Sequence, residues 1–492
     1  MQRKFIINLL ILLFLNLLIK PFWILGIDRS VQNVVGAADY GFYFAIFNFT
    51  FLFNILLDFG ITNFNNRNIA QNHQLLNKHF SSILVLKMML FVFYCIISLG
   101  AGLLIGYDSQ QMKMLGLLGF NQFLISFILY LRSNISGLHY FKTDSLLSVL
   151  DRALMIVICG ILLWGNVTST PFRIEWFIYS QTAAYLLTAL VAFLVVVRKA
   201  RFSRLKWNRP FFFMIIKKSF PFAILVLLMA FYNRIDSVML ERLLPGREGE
   251  EQAGIYASAY RLLDATNMIA YLFSVILLPM FARMLKFRES VEKLARLSFT
   301  LLFVLSVIVA MTSFFYSKEI MTLLYPQHAD ETLEVFRARI DQTSVIFGLL
   351  MAGFIPISTT YVFGTLLTSN GNLKQLNIVA GCGMVLNISL NFILIPWYKS
   401  IGSAYASLLT QFLTAIVQVI IVQIIFRFRT DKIYLFKLSG FIVISLLTGW
   451  MARMLELNWM LGILIIGGNA LLFVALVRLL SLRSLFNLFK RQ

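Results

Sequence analysis

The sequence predicts an all-α integral membrane protein with about 14 transmembrane helices. Of its 492 residues, 59% are hydrophobic and 13% are charged, and the mean hydropathy is +0.81. A soluble domain carries about 25% charged residues, so this composition excludes a soluble enzyme, a disordered chain and a secreted disulfide scaffold. The apolar residues form continuous runs of about 20, which is the length needed to cross the hydrocarbon core of a bilayer. A β-barrel would show short alternating segments instead.

Fourteen apolar runs, bounded by charges, Gly or Pro, predict the individual helices. Those of the first half are 5–25, 40–61, 82–105, 114–131, 146–164, 176–197 and 220–240. Those of the second half are 255–281, 297–315, 345–367, 376–395, 401–426, 436–454 and 459–479. The first run is too long for a signal peptide and has no small-residue cleavage site after it, so we interpret it as a retained span.

The distribution of basic residues predicts the orientation. Lys and Arg outnumber Asp and Glu by 43 to 22, and the formal net charge is +21. With a cytoplasmic N-terminus, 29 of the 43 basic residues fall on the inner side, Arg152 among them, and 11 fall on the outer side, Lys20 among them. Because Lys and Arg concentrate in cytoplasmic loops, both termini are predicted to be cytoplasmic. The excess positive charge is therefore explained by the orientation of the chain and by contact with anionic lipid, and it does not indicate nucleic-acid binding.

The domain organisation is predicted from one basic connection and a weak internal repeat. The connection from Arg198 to Lys218 lies between the sixth and seventh spans, and Gly41-Phe-Tyr43 is matched 213 residues later by Gly254-Ile-Tyr256. Repeats of the same topology are a common transporter plan. The predicted domains are an N-terminal six-helix lobe (1–205), a C-terminal six-helix lobe (206–430) and two additional helices (431–492).

Charged residues inside predicted spans are candidate site residues, because a charge in the membrane is costly. The seventh span carries Arg234 and Asp236, whose spacing of two places them on different faces of the helix. The eighth span carries Arg261 and Asp264, whose spacing of three permits pairing. Two interpretations stay open. The four residues form a closed ion network that fixes packing, or they line a cavity or outer gate whose arginines bind an anionic group such as phosphate.

Polar residues of the second and third spans are further candidates. Asn48 and Asn54 either join helices by hydrogen bonds or line a cavity. Asp58 and Arg67 flank the polar stretch after the second span, where they have a helix-end role or form an inner ligand entrance. Lys87 lies near the inner end of the third span and is expected to extend to the membrane interface.

Two sequence patterns are absent, and their absence limits the reactions expected of this chain. The sequence contains no Gly-x-x-x-x-Gly-Lys-Ser/Thr phosphate loop, so this chain is not expected to hydrolyse ATP. Its four His residues are scattered without metal-ligand spacing, so neither a metal nor a cofactor is predicted.

Five segments resemble the polysaccharide or O-antigen flippases of the MATE-like exporter superfamily. They are 35–43 (VGAADYGFY), 58–63 (DFGITN), 233–240 (NRIDSVML), 278–283 (LPMFAR) and 402–407 (GSAYAS). The resemblance implies two six-helix lobes around a central cavity, with two extra helices. Related flippases of lipid-linked precursors line this cavity with arginines on spans one, two and eight, and here Arg261 lies on the eighth span.

The same resemblance implies a function. The expected activity is alternating-access transfer of an oligosaccharide linked to polyprenyl diphosphate across the bacterial inner membrane, from the cytoplasmic to the outer leaflet, for O-antigen and lipopolysaccharide synthesis. The implied partners are this lipid-linked oligosaccharide, membrane lipids, and the polysaccharide polymerase and chain-length machinery.

Two other functions remain open. A drug or cation antiporter of the same fold requires a net acidic cavity with an unpaired carboxylate, whereas the acids here are matched by arginines. A membrane-embedded glycan polymerase or ligase requires a sizeable outer loop with catalytic residues, and the longest candidate, 316–341, contains His328, Asp330 and Glu331. A transporter rather than an enzyme is therefore predicted.

Overall fold

The part of the chain that the structure, a computed structural model, describes is almost entirely helical, with short connections. That part comprises residues 15–16, 18–62, 65–66, 69, 72–138, 140–165, 167, 170–200, 207, 209–328, 331–429, 431–477 and 479. Among these residues there is no β-strand, which confirms the predicted all-α class. The chain divides into two compact units, 1–257 and 258–492. The three-part division at 205 and 430 stays a prediction.

The N-terminal unit consists of helices joined by short connections. A π-helical segment, Trp23–Asp28, leads into the first α-helix. A 3₁₀ turn, Asn54–Leu57, follows it. The α-helices are α1 (Arg29–Leu52), α2 (Leu75–Leu104), α3 (Ser109–Gly137), α4 (Phe141–Trp164), α5 (Ile174–Val197) and α6 (Arg209–Leu243). Helix α7 (Gly246–Lys286) contains the boundary between the units.

The C-terminal unit contains the remaining helices. They are α8 (Glu292–Phe315), α9 (Ser317–Leu324), α10 (Leu333–Ser369), α11 (Leu373–Phe426), α12 (Lys432–Met454) and α13 (Trp459–Leu476). Within the described residues, eleven helices are long and apolar enough to span a membrane, namely α2 to α8 and α10 to α13. The chain is thus a multi-pass membrane protein.

Two helices contain internal breaks. Gly36 interrupts α1 with φ of 85° and ψ of 170°, a conformation that a residue without Cβ adopts at little cost. Lys399 interrupts α11 with φ of 50° and ψ of −132°. Pro396, three residues earlier, also lacks the N–H that a continuous helix uses. The break at Lys399 separates the predicted spans 376–395 and 401–426.

The prediction of one continuous second span over 40–61 is wrong. The α-helix ends at Leu52, a 3₁₀ turn follows, and Phe59 and Gly60 adopt positive φ values of 44° and 76°. The apolar run continues through this break, so hydropathy alone gives no sign of it. Hydrogen bonds from other helices stabilise the broken end, as described for Asp58 below.

The two glycines of the predicted repeat contact each other's helices. A Cβ added at Gly41 would overlap the carbonyl oxygen of Glu250, and one added at Gly254 would overlap that of Ala37. Glu250 follows Ala37 by the same 213 residues that separate the glycines, so the two contacts are equivalent under the repeat. Two glycines therefore allow α1 and the start of α7 to cross with their backbones in contact, as small residues do between membrane helices.

In the C-terminal unit, the last two helices pack on α8. Its apolar core joins Val304 and Val307 of α8 to Phe441 of α12 and to Ala470 and Val474 of α13. These five residues are at most 5% exposed, and partly buried apolar side chains pack around them. Helices α12 and α13 are therefore an integral part of this unit.

Candidate functional site

The second, seventh and eighth predicted spans share a buried polar cluster in the N-terminal unit. Asn48 on α1 donates through Nδ2 to Ser237 Oγ on α6, at 2.8 Å. The adjacent Asp236 accepts a hydrogen bond from the Tyr256 hydroxyl on α7, at 2.7 Å between Oδ2 and the hydroxyl oxygen. Asn48, Asp236 and Ser237 are each 1% exposed. These bonds join three helices, so the cluster fixes their packing.

Two groups of this cluster bear on ligand binding. The guanidinium of Arg234 lies 5.1 Å from the centre of the Phe51 ring, which is a cation–π contact. Asn48 Oδ1 is buried and has no hydrogen-bond partner within the described part of the chain. Asn48 therefore joins two helices through its amide nitrogen and offers a free acceptor through its oxygen.

Removing the Tyr256 hydroxyl should destabilise the N-terminal unit. In Tyr256→Phe, the buried Asp236 carboxylate loses a hydrogen bond, and we expect the free energy of unfolding to fall by about 1–3 kcal/mol. Thermal unfolding in detergent measures the change. Tyr179→Phe, at a tyrosine that is 54% exposed, is the matched control and should leave the unfolding midpoint unchanged. Equal midpoints for both variants would contradict this role of Tyr256.

Asn54 belongs to a chain of polar contacts between α1, α2 and α3. Its Nδ2 lies 3.5 Å from Gln122 Oε1, and Gln122 Nε2 lies 3.5 Å from Thr50 Oγ1. The Tyr94 hydroxyl donates to the Thr50 carbonyl oxygen at 2.9 Å. Asn54 thus makes an interhelical polar contact, which is one of the two interpretations given for the asparagines.

Asp58 pairs with Lys87, and the expectation that Lys87 extends to the membrane interface is wrong. The Lys87 side chain is 0% exposed, and its Nζ lies 2.5 Å from Asp58 Oδ1. The same Nζ donates to the Leu57 carbonyl oxygen and to Ser126 Oγ, both at 2.9 Å. Three ammonium donors thus meet three acceptors at the broken end of α1. Arg67, the other candidate of this stretch, lies outside the described residues.

Arg261 and Asp264 lie in the C-terminal unit. Arg261 Nη1 is 3.7 Å from Asp264 Oδ2, the pairing that a spacing of three residues predicts. Both side chains keep some exposure, 14% for Arg261 and 17% for Asp264. The two residues thus form an ion pair whose members are both partly accessible.

Sequence reasoning missed a second set of cations in the N-terminal unit. Arg152 was counted with the inner connections, yet it lies eleven residues after the start of α4, about 16 Å along the helix. Lys20 was counted with the outer segments, yet it lies in the helical stretch 18–35, within electrostatic range of Arg152 and Asp151. Both residues lie inside the predicted spans 5–25 and 146–164, although the charge count assigned them to the adjoining connections.

The segment 316–341, which the charge distribution predicts on the outer side, is largely structured. It contains α9 and the first turns of α10, while Asp330 lies outside the described residues. Burial alone would raise the pKa of Glu331, but hydrogen bonds from Arg339 and the His328 backbone N–H outweigh it and lower the pKa. Both Glu331 oxygens accept from Arg339 at 2.8 Å. Glu331 thus holds the loop together and is poorly suited to donate a proton as a general acid.

No cluster of three or more His, Cys, Asp or Glu residues with metal-binding geometry occurs in the part of the chain that the structure describes. The cysteines Cys95, Cys159 and Cys382 are all unbridged thiols.

A family model matches the N-terminal half of the chain and a little more. A family model described as "Polysaccharide biosynthesis protein" matches residues 8–285. No curated protein sequence matches the chain significantly.

Solved structures resemble the chain over most of its length. One described as "Lipid II flippase MurJ, inward closed conformation" is 15% identical, covers 96% of this chain and 98% of its own, and has a TM-score of 0.72. An inward-facing "multidrug resistance MATE family transporter of the MOP superfamily" is 14% identical, with coverages of 82% and 94% and a TM-score of 0.62.

A "MOP superfamily transporter from Pyrococcus furiosus", described with the phrase "Reverse polarity of binding pocket suggests different function", is 14% identical. It covers 86% of this chain and 95% of its own, with a TM-score of 0.63. At these identities the likeness establishes the fold, which is that of transporters and flippases of the MOP superfamily.

Proposed function

Because the chain belongs to the polysaccharide biosynthesis protein family, we propose that it is a flippase for oligosaccharide repeat units linked to polyprenyl diphosphate. It moves them from the cytoplasmic to the outer leaflet of a bacterial inner membrane, for O-antigen or related polysaccharide synthesis. The observation that carries the proposal is a flippase-type fold over almost the whole chain, combined with this family. Both termini are cytoplasmic in this proposal, and the polymerase and chain-length proteins act after it.

The transport problem is physical. A sugar and diphosphate headgroup must cross hydrocarbon while the prenyl tail stays in lipid, so the protein has to replace hydration and offset negative charge. Arg234 and Arg261 are the proposed contacts for the diphosphate, because a guanidinium donates parallel hydrogen bonds to phosphate oxygens. An inside-negative potential of 100 mV favours outward movement of each negative charge by about 2.3 kcal/mol, so transport can proceed without ATP.

A drug or cation antiporter is the second candidate, because MATE transporters share the fold. Such a protein needs a carboxylate available for a cation. Here Asp58 pairs with Lys87, Asp264 pairs with Arg261, and Asp236 accepts a hydrogen bond from Tyr256. The engaged carboxylates favour the flippase.

Arg234→Gln and Arg261→Gln test the site assignment. Each should reduce surface glycan by about tenfold or more in a strain that depends on this chain, because one hydrogen-bonded charge pair with phosphate is lost. Surface glycan and membrane abundance of the protein are measured together. Arg283→Gln is the matched control, since Arg283 is an exposed arginine on the same helix as Arg261. Normal export by both variants would refute the roles of Arg234 and Arg261.

A further inference from the structure

We propose that the end of the N-terminal unit where α3, α5 and α6 meet binds anionic phospholipids through their headgroup phosphates. The contacts are Tyr140, Lys199, Trp207 and Arg209, which we call the basic end surface. This inference goes beyond the proposed function, because the ligand is a resident membrane lipid rather than the transported molecule. A basic loop attracts anionic lipid without any fixed geometry, whereas these four residues form a defined site.

The ends of three helices meet in one apolar cluster beneath the basic end surface. The cluster contains Ile135 from the last turn of α3, Ala200, which follows α5, and Phe212 from the first turn of α6. Each of the three is at most 6% exposed. Tyr140 N donates to the Ile135 carbonyl oxygen at 3.1 Å, and the Trp207 ring meets the Phe212 ring edge to face, with 5.8 Å between centres. The two surface rings are therefore attached to the same cluster.

An aromatic ring supports each of the two cations. Lys199, which directly precedes Ala200, has its Nζ 5.0 Å from the centre of the Tyr140 ring. The Cζ of Arg209 lies 6.0 Å from the centre of the Trp207 ring. All four side chains are exposed, Tyr140 by 45% and Trp207 by 56%. A cation–π contact restrains the cation without using its N–H donors in hydrogen bonds, so these donors are available to phosphate oxygens.

No acid offsets the two cations among the described residues. The sequence from 198 to 218 contains eight Lys or Arg and no Asp or Glu. Asp144, in the first turn of α4, is bound to Arg132, with 2.8 Å between Oδ1 and Nε. The side chains of Lys199 and Arg209 form no ion pair with any residue that the structure describes. The basic end surface thus keeps a positive charge that a phosphate diester would neutralise.

The first turns of α6 expose an apolar ring beside the cations. The membrane-crossing part of α6 is Phe220–Leu243, so residues 209–219 precede it. Arg209, Phe213 and Lys217 are spaced by four, which places them on one face, and all three are exposed, Phe213 by 69%. A face with both cations and an aromatic ring suits a lipid, whose headgroup and acyl chain meet the two kinds of side chain. A free phosphate would leave the ring in water.

Quenching of Trp207 fluorescence by brominated lipid tests the basic end surface in the full-length protein. Nanodiscs of mixed phosphatidylglycerol and phosphatidylcholine are prepared twice, with the bromines on one lipid or on the other. The difference between the unsubstituted chain and Trp207→Phe isolates the signal of this tryptophan. We expect at least about fivefold more quenching per bromine from phosphatidylglycerol, because each basic residue near a membrane surface contributes about this factor.

The combined variant Lys199→Gln and Arg209→Gln should reduce this preference to about one, because both cations are lost. Lys113→Gln combined with Arg247→Gln is the matched control, since both residues are exposed and lie elsewhere in the N-terminal unit. It removes the same charge and should retain the preference. Lys199→Arg combined with Arg209→Lys keeps both charges and should also retain it.

Two results would overturn the proposed site: equal quenching by both lipids in the unsubstituted chain, or an undiminished preference in the combined glutamine variant of Lys199 and Arg209. Loss of the preference when inorganic phosphate is added at constant ionic strength would indicate a site for free phosphate and overturn the choice of a lipid. Because no transport is measured, failure here is distinct from failure of the flippase proposal, which the leaflet distribution of the glycan lipid tests.

Discussion

Replacing Lys87 with methionine should lower the free energy of unfolding by about 3–5 kcal/mol, because removing one partner of a buried ion pair leaves the other charge uncompensated. Lys87 is fully buried and bonds to Asp58, to the Leu57 carbonyl and to Ser126. Ser126 still donates to the Leu57 carbonyl at 3.1 Å, so most of the loss should arise at Asp58. Thermal unfolding of the purified protein measures it.

The control for this variant is Lys78→Met, since Lys78 is exposed and lies on the same helix. It should leave the unfolding midpoint unchanged. Adding Asp58→Asn to Lys87→Met should recover part of the loss, because the uncompensated carboxylate is then absent. An unfolding midpoint for Lys87→Met equal to that of Lys78→Met would mean that the ion pair does not stabilise the broken end of α1.

Gly41→Ala and Gly254→Ala should each destabilise the protein by about 1–3 kcal/mol, the usual cost of overpacking. Each added Cβ would overlap a backbone carbonyl oxygen of the crossing helix, and backbone cannot rotate away as a side chain can. The double variant should lose less stability than the sum of the two single losses, because both substitutions separate the same pair of helices.

Gly116→Ala is a control for which the expected change in stability has the opposite sign. Nothing lies within 4 Å of a Cβ at Gly116, which is a helical position of α3. Alanine there should stabilise the helix by about 0.5–1 kcal/mol. If the variants at Gly41 and Gly254 unfolded at the same temperature as Gly116→Ala, the close crossing of α1 and α7 would be wrong.

The sequence predicted the features that follow from hydrophobicity. Runs of apolar residues located the helices, and the gap between 395 and 401 coincides with the break at Lys399. The repeat of Gly41 and Gly254 marked the two positions where α1 and α7 cross. Both signals are local, since they depend on residue type and spacing within one or two segments.

Features that depend on tertiary contacts could not be predicted. The apolar run continues past Leu52, and donors from other helices, Lys87 and Ser126, satisfy the Leu57 carbonyl beyond the end of the helix. Arg152 and Lys20 lie inside the predicted spans 146–164 and 5–25, yet each was counted with the adjoining connection. A partner on another helix decides whether such a charge is buried, and a single sequence does not identify that partner.

The leaflet distribution of the glycan lipid tests the flippase proposal most directly. In a strain lacking this chain, access of an impermeant lectin to the repeat unit is compared between right-side-out spheroplasts and inverted membrane vesicles. We expect the lipid-linked repeat unit to be accessible only in inverted vesicles, and to become accessible in spheroplasts when the chain is restored. Its accumulation on the outer leaflet without the chain would contradict the proposal and indicate a polymerase or ligase.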